Sequence, residues 1–255
     1  HLYSQPCLSN PDVLRIMIEG IRSWLRDNPE ARLVSVSQND SFVIGSYCTC
    51  PACRAVNEEE GAPSGSLIRF VNAVAEALEP EFPEVTFDTL AYQYSTQPPK
   101  LTHPRHNVAI RMCTGGCSSH PIPDCANNAG SADAIRGWSQ ICRQLYIWDY
   151  TTDFAQYLNP YPNFQTLQDN IRFFRDHNVC GVFEQGNYNE GLSGEFGELR
   201  AYLLANLLWN PEFDVESGTE SFLNAYYGGG APYVRQYLTF IRDKVRDVHF
   251  NLVIS

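Results

Sequence analysis

No apolar run in this 255-residue sequence reaches the roughly 18 positions that a membrane-crossing helix needs. Leu199–Trp209 comes nearest and stops well short. A transmembrane helix is thereby excluded. Positive charge is scarce: Lys and Arg number 18 against 29 Asp and Glu, for a net charge of −11. So acidic a surface repels phosphate backbones and anionic headgroups, which makes nucleic acid and membrane surfaces poor partners. The sequence has no internal repeat and no low-complexity tract, so repeat architectures and disordered segments are not expected. It opens at His1 without an initiator Met, a basic n-region or an apolar h-region. The expectation is a mature product or a piece of something longer.

What is present suits a globular fold. Hydrophobic residues make up 44% and aromatics 13% of the chain, enough for one large domain or two small ones. Nine cysteines is a high and odd count. In a cytosolic protein it suggests metal or redox chemistry, and in an exported one disulfides with a leftover thiol. The 14 Tyr and 4 Trp, with Asn-rich loops, lean toward polar, ring-shaped ligands.

Strand and helix patterns alternate. Asn10-Pro11-Asp12 reads as a helix cap before an apolar stripe running to Leu25. A short strand follows at Leu33 to Ser37, then a loop rich in Cys and Glu, then a helix after Pro63-Ser64-Gly65. Val85 to Tyr94 is strand-like, and the Pro-rich stretch Gln97 to Pro104 takes a helix's place. Val108 to Cys113, Leu145 to Trp148 and Val179 to Phe183 read as further strands. Helices are expected over Ala132 to Cys142, Phe164 to Asp176, Glu198 to Trp209 and Pro232 to Val248. Such alternation predicts parallel strands and an α/β fold. We read it as the latter part of a (β/α)8 barrel, residues 1–190, with a C-terminal helical region over 191–255. The first strands would come from the missing N-terminal part of the same protein or from another copy of the chain. The 255 residues alone should then leave an unpaired edge or an exposed apolar face along Leu33–Ser37.

A barrel places its chemistry at the C-terminal ends of its strands. Asn39 and Asp40 stand at one such exit, and Glu184 and Gln185 at another. Two carboxylates across a barrel mouth are the minimum equipment for glycosidic bond cleavage; loop capping or pairing with Arg is the plain alternative. Tyr146-Ile147-Trp148-Asp149-Tyr150 ends a strand with aromatics around an acid, a pattern that stacks on and hydrogen-bonds sugars. Tyr146 reads better as part of an interior aromatic layer. Asp88 reads as a satisfied buried acid, while Tyr92 could face a sugar. Cys48-Thr49-Cys50-Pro51-Ala52-Cys53 could give zinc three thiolates, with Cys113, Cys117 or His120 as a fourth ligand. It lacks the paired CxxC spacing, and disulfides such as Cys113 with Cys117, or free thiols, are preferred. No metal and no cofactor is expected. Asn57 to Glu60 reads as a solvated helix approach from which one carboxylate could bend into the cleft. Asn39-Asp40-Ser41 matches the glycosylation pattern, but its strand-end place argues against a glycan. Gly228-Gly229-Gly230 reads as a hinge.

The ordered motifs Ser35–Asp40, Cys48–Cys53, Glu59–Gly65, Ala91–Tyr94, Tyr146–Tyr150, Phe183–Gly186, Leu199–Tyr202 and Leu208–Pro211 resemble a bacterial family once catalogued as a domain of unknown function, now glycoside hydrolase family 163. The resemblance runs from about Cys7 to about Tyr237. It implies endo-β-N-acetylglucosaminidase activity on complex N-glycans, a barrel-type catalytic domain and a secreted, periplasmic or cell-surface location. The chain departs from the family in Cys125, Cys180 and Gly115-Gly116. The leading expectation is a retaining, substrate-assisted endoglycosidase, with Glu184 as general acid and Asp40 orienting the substrate acetamide. Asn39, Tyr92, Trp148, Asp149 and Gln185 would line the sugar sites. An inverting, α-glucuronidase-like glycosidase and a non-catalytic glycan-binding scaffold are the alternatives.

Overall fold

The computed structural model describes residues 5–41, 45–188 and 194–252. Its elements are α1 (Pro11–Asp27), β1 (Leu33–Ser35), α2 (Pro51–Glu60), α3 (Ser64–Leu78), β2 (Thr86–Ala91), β3 (Val108–Cys113), α4 (Ala129–Ile141), β4 (Leu145–Tyr150), α5 (Leu167–Asp176), β5 (Val179–Gln185), α6 (Gly197–Trp209), α7 (Val215–Tyr227) and α8 (Ala231–Lys244). The strands form one parallel five-stranded sheet in the order β1-β2-β3-β4-β5. Leu33 pairs with Thr86, and Phe87 with Val108. The α/β expectation holds at this level. Among the described residues no helix is long and apolar enough to cross a membrane.

Each crossover moves the chain one strand along the sheet. β2 and β3 are buried nearly throughout, as strands covered on both faces must be. Asn10 caps α1 by accepting the Asp12 N–H at 2.8 Å, with Pro11 in the first turn. The loop expected after β1 contains α2. Pro51 starts it, Cys50 caps it by accepting the Cys53 N–H, and Gly61 closes it at φ 71°, a conformation glycine adopts without strain. α7 was also unanticipated; Asp214 caps it through the Ser217 N–H. β4 and β5 both run two residues past their expected ends, so Asp149 and Glu184 stand on the strands themselves.

The chain divides into two compact units, the described residues of His1–Cys113, Asp133–Ile147 and Asn178–Gly181, and those of Thr114–Ala132, Trp148–His177 and Val182–Ser255. In the first, Leu67, Ile68, Val71, Val74 and Leu78 of α3 are buried, and the helix packs on α1, α2 and β2. Beside the edge strand β1, Met17, Ile16, Trp24 and Val34 line an apolar groove. Ile16 and Trp24 of α1 and Leu33 of β1 stay about half exposed, while Val36 is buried. In the second unit, α5, α6, α7 and α8 share a core of Leu167, Ile171, Leu199, Leu203, Leu207 and Leu223. Tyr146 is not part of an interior layer: it is 37% exposed. Its ring lies against Gly181, where an added Cβ would come within 2.4 Å of it.

Glu60 is not solvated but 1% exposed. Its carboxylate accepts the N–H groups of Leu101 and Thr102 at 2.8 and 2.9 Å, the Thr102 hydroxyl and Arg69 at 2.6 Å. α2 is thereby tied to the Pro-rich segment. Burial pushes the Glu60 pKa up, but these donors outweigh it and hold the carboxyl at about 2. A carboxyl held this low adds stability that is present above its unfolded pKa of about 4.3 and is lost as pH falls from there toward about 2. Glu60→Gln is expected to cost about 3 kcal/mol in urea unfolding at pH 7, a loss that shrinks through this acid window. A variant as stable as the parent at pH 7 would contradict this role.

Candidate functional site

Two carboxyls stand at the ends of adjacent strands in the second unit, Asp149 near the end of β4 and Glu184 near the end of β5. The ladder that places them continues past the strands. Thr114 donates its N–H to the Trp148 carbonyl at 3.0 Å, and Thr151 donates to the Gln185 carbonyl at 3.0 Å. The Thr114 hydroxyl also donates to Asp149. Burial pushes the Asp149 pKa up, with the Thr114 hydroxyl and the Tyr150 N–H partly offsetting it. Glu184 is raised well above the usual carboxylate range, first by burial and then by the charge of Asp149. Its Oε2 is buried with no hydrogen-bond partner among the described residues. One carboxyl of such a pair keeps its proton where an isolated one would lose it.

Aromatic rings flank the two carboxyls along the strands, Trp148 and Phe183 on the opposite face of the sheet. The Trp148 indole N–H donates to Gln185 Oε1 at 2.6 Å, and the ring meets Phe183 edge-on at 5.0 Å between centroids. Tyr150, Phe154, Tyr157 and Tyr188 follow one another at 5.8, 6.1 and 5.6 Å, ending at Tyr188, which is 80% exposed. Behind Asp149 lies a cavity of about 30 Å³ bordered by Thr114, Tyr161, Asn163 and Asn170, the size of one or two waters. A sugar would have to use the exposed rings, not this cavity.

Arg200, from the Leu199–Tyr202 motif, supports this arrangement from α6. It is 4% exposed and pairs with Glu195 at 2.8 Å. It also donates to Asn163 Oδ1 at 3.1 Å and to the Tyr161 carbonyl at 3.3 Å. Asn163 in turn donates to the Thr151 carbonyl at 3.2 Å, and the Thr151 hydroxyl to that of Gln185 at 2.9 Å. A continuous chain of donors thus links a buried cation to the end of β5. No spacing rule marks Arg200 as part of this site, and it was not among the anticipated residues.

The other anticipated residues lie in the first unit. Asn39 and Asp40 are exposed at the exit of β1. Gln5 receives the Asn39 N–H at 2.9 Å and donates to its carbonyl at 2.8 Å. Asp40 lies against the Tyr92 phenol, whose pKa is raised by burial and further by Asp40. Gln93 beside it has φ 53°, a strained value for a non-glycine residue. Ser95, whose hydroxyl accepts the Tyr92 N–H at 3.2 Å and the Gln38 amide at 2.7 Å, fixes this turn. Asp88 is buried as expected, 2% exposed, and pairs with Arg111 at 2.8 Å. Neither carboxylate oxygen has a hydrogen-bond partner among the described residues, so it is not the satisfied acid expected; burial pushes its pKa up.

None of the nine cysteines is in a disulfide, so Cys113 and Cys117, the example given of a bridge, are not joined. Two groups of them could hold a metal ion: Cys7, Cys48, Cys50 and Cys53 in the first unit, and Cys117, His120, Cys125 and His249 in the second. Cys7 and His249, remote in sequence from the other members, were missed by local spacing.

A model of the family described as Domain of unknown function (DUF4838) matches residues 1–239, and the chain belongs to that family. No curated protein and no solved structure matches it.

The raised pKa of Glu184 has a measurable cost. Its fold-favoured neutral form adds stability below the unfolded pKa of about 4.3 that is lost as pH rises toward the raised folded value. Glu184→Gln should therefore raise Tm at pH 7 by about 2–4 °C, the shift that about 1 kcal/mol gives a chain of this size. The gain should vanish near pH 4. An unchanged or lower Tm at pH 7 would refute the raised carboxyl.

Proposed function

We propose that this member of the DUF4838 family is the catalytic part of a glycoside hydrolase, a retaining endo-β-N-acetylglucosaminidase that acts on N-glycans. The observation that carries the reading is the pair Asp149 and Glu184 on adjacent strand ends, the charge of Asp149 raising the Glu184 pKa. Consecutive strand order also suits part of a (β/α)8 barrel, whose strand ends carry the chemistry. The family resemblance of the motifs supplies the substrate class and a secreted, periplasmic or cell-surface setting.

Glu184, whose pKa is raised by burial and by the charge of Asp149, gives its proton to the glycosidic oxygen as the C1–O bond breaks. The substrate's own acetamide oxygen forms a bond to C1, giving an oxazolinium ion. Asp149, ionised, accepts the acetamide N–H and offsets the developing positive charge. Water then opens the oxazolinium at C1 and yields its proton to the Glu184 carboxylate, which restores the acid. Asp149 takes the orienting role first expected of Asp40, because its charge is the one that bears on Glu184. Asp40, Asn39 and Tyr92 belong to the first unit and are given no part in this step. Trp148 and the exposed rings through Tyr188 offer faces for pyranose stacking, and Gln185 holds Trp148 in place.

The test is turnover of a complex N-glycoprotein by purified variants. Glu184→Gln and Asp149→Asn should each lose at least about 100-fold in kcat, while Asp40→Asn loses less than either. A thiazoline analogue of N-acetylglucosamine should inhibit competitively. Full turnover in Glu184→Gln removes the proposed acid. Glycan binding without turnover by the parent chain would favour a non-catalytic scaffold.

A further inference from the structure

We propose that each unit carries a structural zinc site, one built by Cys7, Cys48, Cys50 and Cys53 and the other by Cys117, His120, Cys125 and His249. Within each group the ligand atoms all lie within 4.8 Å of one another. Zinc takes four such ligands tetrahedrally, with Zn–S about 2.3 Å and Zn–N about 2.0–2.1 Å. The edges of those tetrahedra are about 3.8 Å between sulfurs and about 3.5 Å between sulfur and nitrogen. Cys7 Sγ stands 3.7 Å from that of Cys50 and 3.9 Å from that of Cys53. In the second group, Cys117 Sγ to His120 Nδ1, Cys117 Sγ to His249 Nδ1 and Cys125 Sγ to His249 Nδ1 are each 3.4 Å. These separations match the edges of a metal tetrahedron and are far beyond the 2.05 Å of bonded sulfurs.

The surroundings orient the ligands as metal sites require. Cys50 caps α2, so the Cys53 N–H points at its sulfur at 3.4 Å. The His120 Nε2–H donates to the Arg246 carbonyl at 2.9 Å, which leaves Nδ1, the atom facing Cys117, unprotonated for a metal. Thiolate-rich and Cys2His2 sets select zinc among common divalent ions, and four protein ligands leave no open position for substrate. Binding releases the thiol protons to solvent and involves no redox change.

The two sites close different segments. The first ties the approach to α1 to the start of α2. The second ties the segment after β3 to the chain end, where Ser118 donates to the Phe250 carbonyl at 2.6 Å, Leu252 to that of Gly116 at 2.9 Å and the Ser119 hydroxyl to that of Val248 at 2.9 Å. This segment begins at Thr114, the partner of Asp149.

The chain is produced in zinc-supplemented medium, purified under reducing conditions without chelator, and its metal content measured by plasma mass spectrometry. Two zinc ions per chain are expected. Cys50→Ser/Cys53→Ser should retain one, Cys117→Ser/His120→Ala should retain the other, and Cys142→Ser should keep both. Should a variant fail to fold, the parent is stripped with chelator and reductant and titrated with cobalt(II). Two equivalents should then produce the visible bands of tetrahedral cobalt and thiolate charge transfer, both removed by zinc. Less than a tenth of an equivalent of zinc, iron in its place, cysteines joined as disulfides by intact mass, or octahedral cobalt spectra would each overturn the proposal.

Discussion

Two half-buried carboxyl groups stand at neighbouring strand ends, and the charge of one makes ionising the other more costly. Asp149 has the Thr114 hydroxyl to favour its ionised form. Glu184 has an oxygen with no partner among the described residues and feels the charge of Asp149. The proton therefore belongs on Glu184. A folded chain gains nothing in stability from a carboxyl held in this way, and sites that perform proton transfer are where such arrangements collect. The surrounding order follows from keeping the pair in place. Arg200, itself buried against Glu195, holds Asn163 and through it Thr151 and the end of β5.

Much of the sheet was legible in the sequence, and the reason is periodic burial. Val108–Cys113 has the expected limits because an apolar run between turn signals leaves a buried central strand little freedom. The Asn10-Pro11 cap placed α1 for the same kind of local reason. α2 was missed although Pro51 and Gly61 mark both its ends, because only Cys53 and Glu60 are buried along it and its apolar pattern is faint. Glu60 itself was misplaced: a run of three glutamates reads as solvated, and only the chain's return through Leu101 and Thr102 supplies the donors that draw one of them inside.

Strand-end position was enough to single out Glu184, Asp149 and Trp148, but not to pair them. Pairing depends on which strands are neighbours and on how far each runs. β4 and β5 proved longer than their apolar cores. The thiol clusters show the same limit. Cys48, Cys50 and Cys53 advertise themselves by spacing, whereas Cys7 and His249 join their groups from 41 and 124 positions away, by the numbering of Cys48 and Cys125. Local spacing cannot report ligands brought in by tertiary folding. The high cysteine count gains a common physical account once the sulfurs are seen in two groups, one in each unit.

The central claim is that Asp149 and Glu184 form one electrostatically coupled pair. It is tested most directly by following the side-chain carboxyl carbon of Glu184 by NMR through a pH titration, in the parent chain and in Asp149→Asn. The account predicts a Glu184 midpoint well above the ordinary carboxylate range in the parent, moving down when the charge of Asp149 is removed. A midpoint near 4.3 in the parent, or one unmoved by Asp149→Asn, would contradict it.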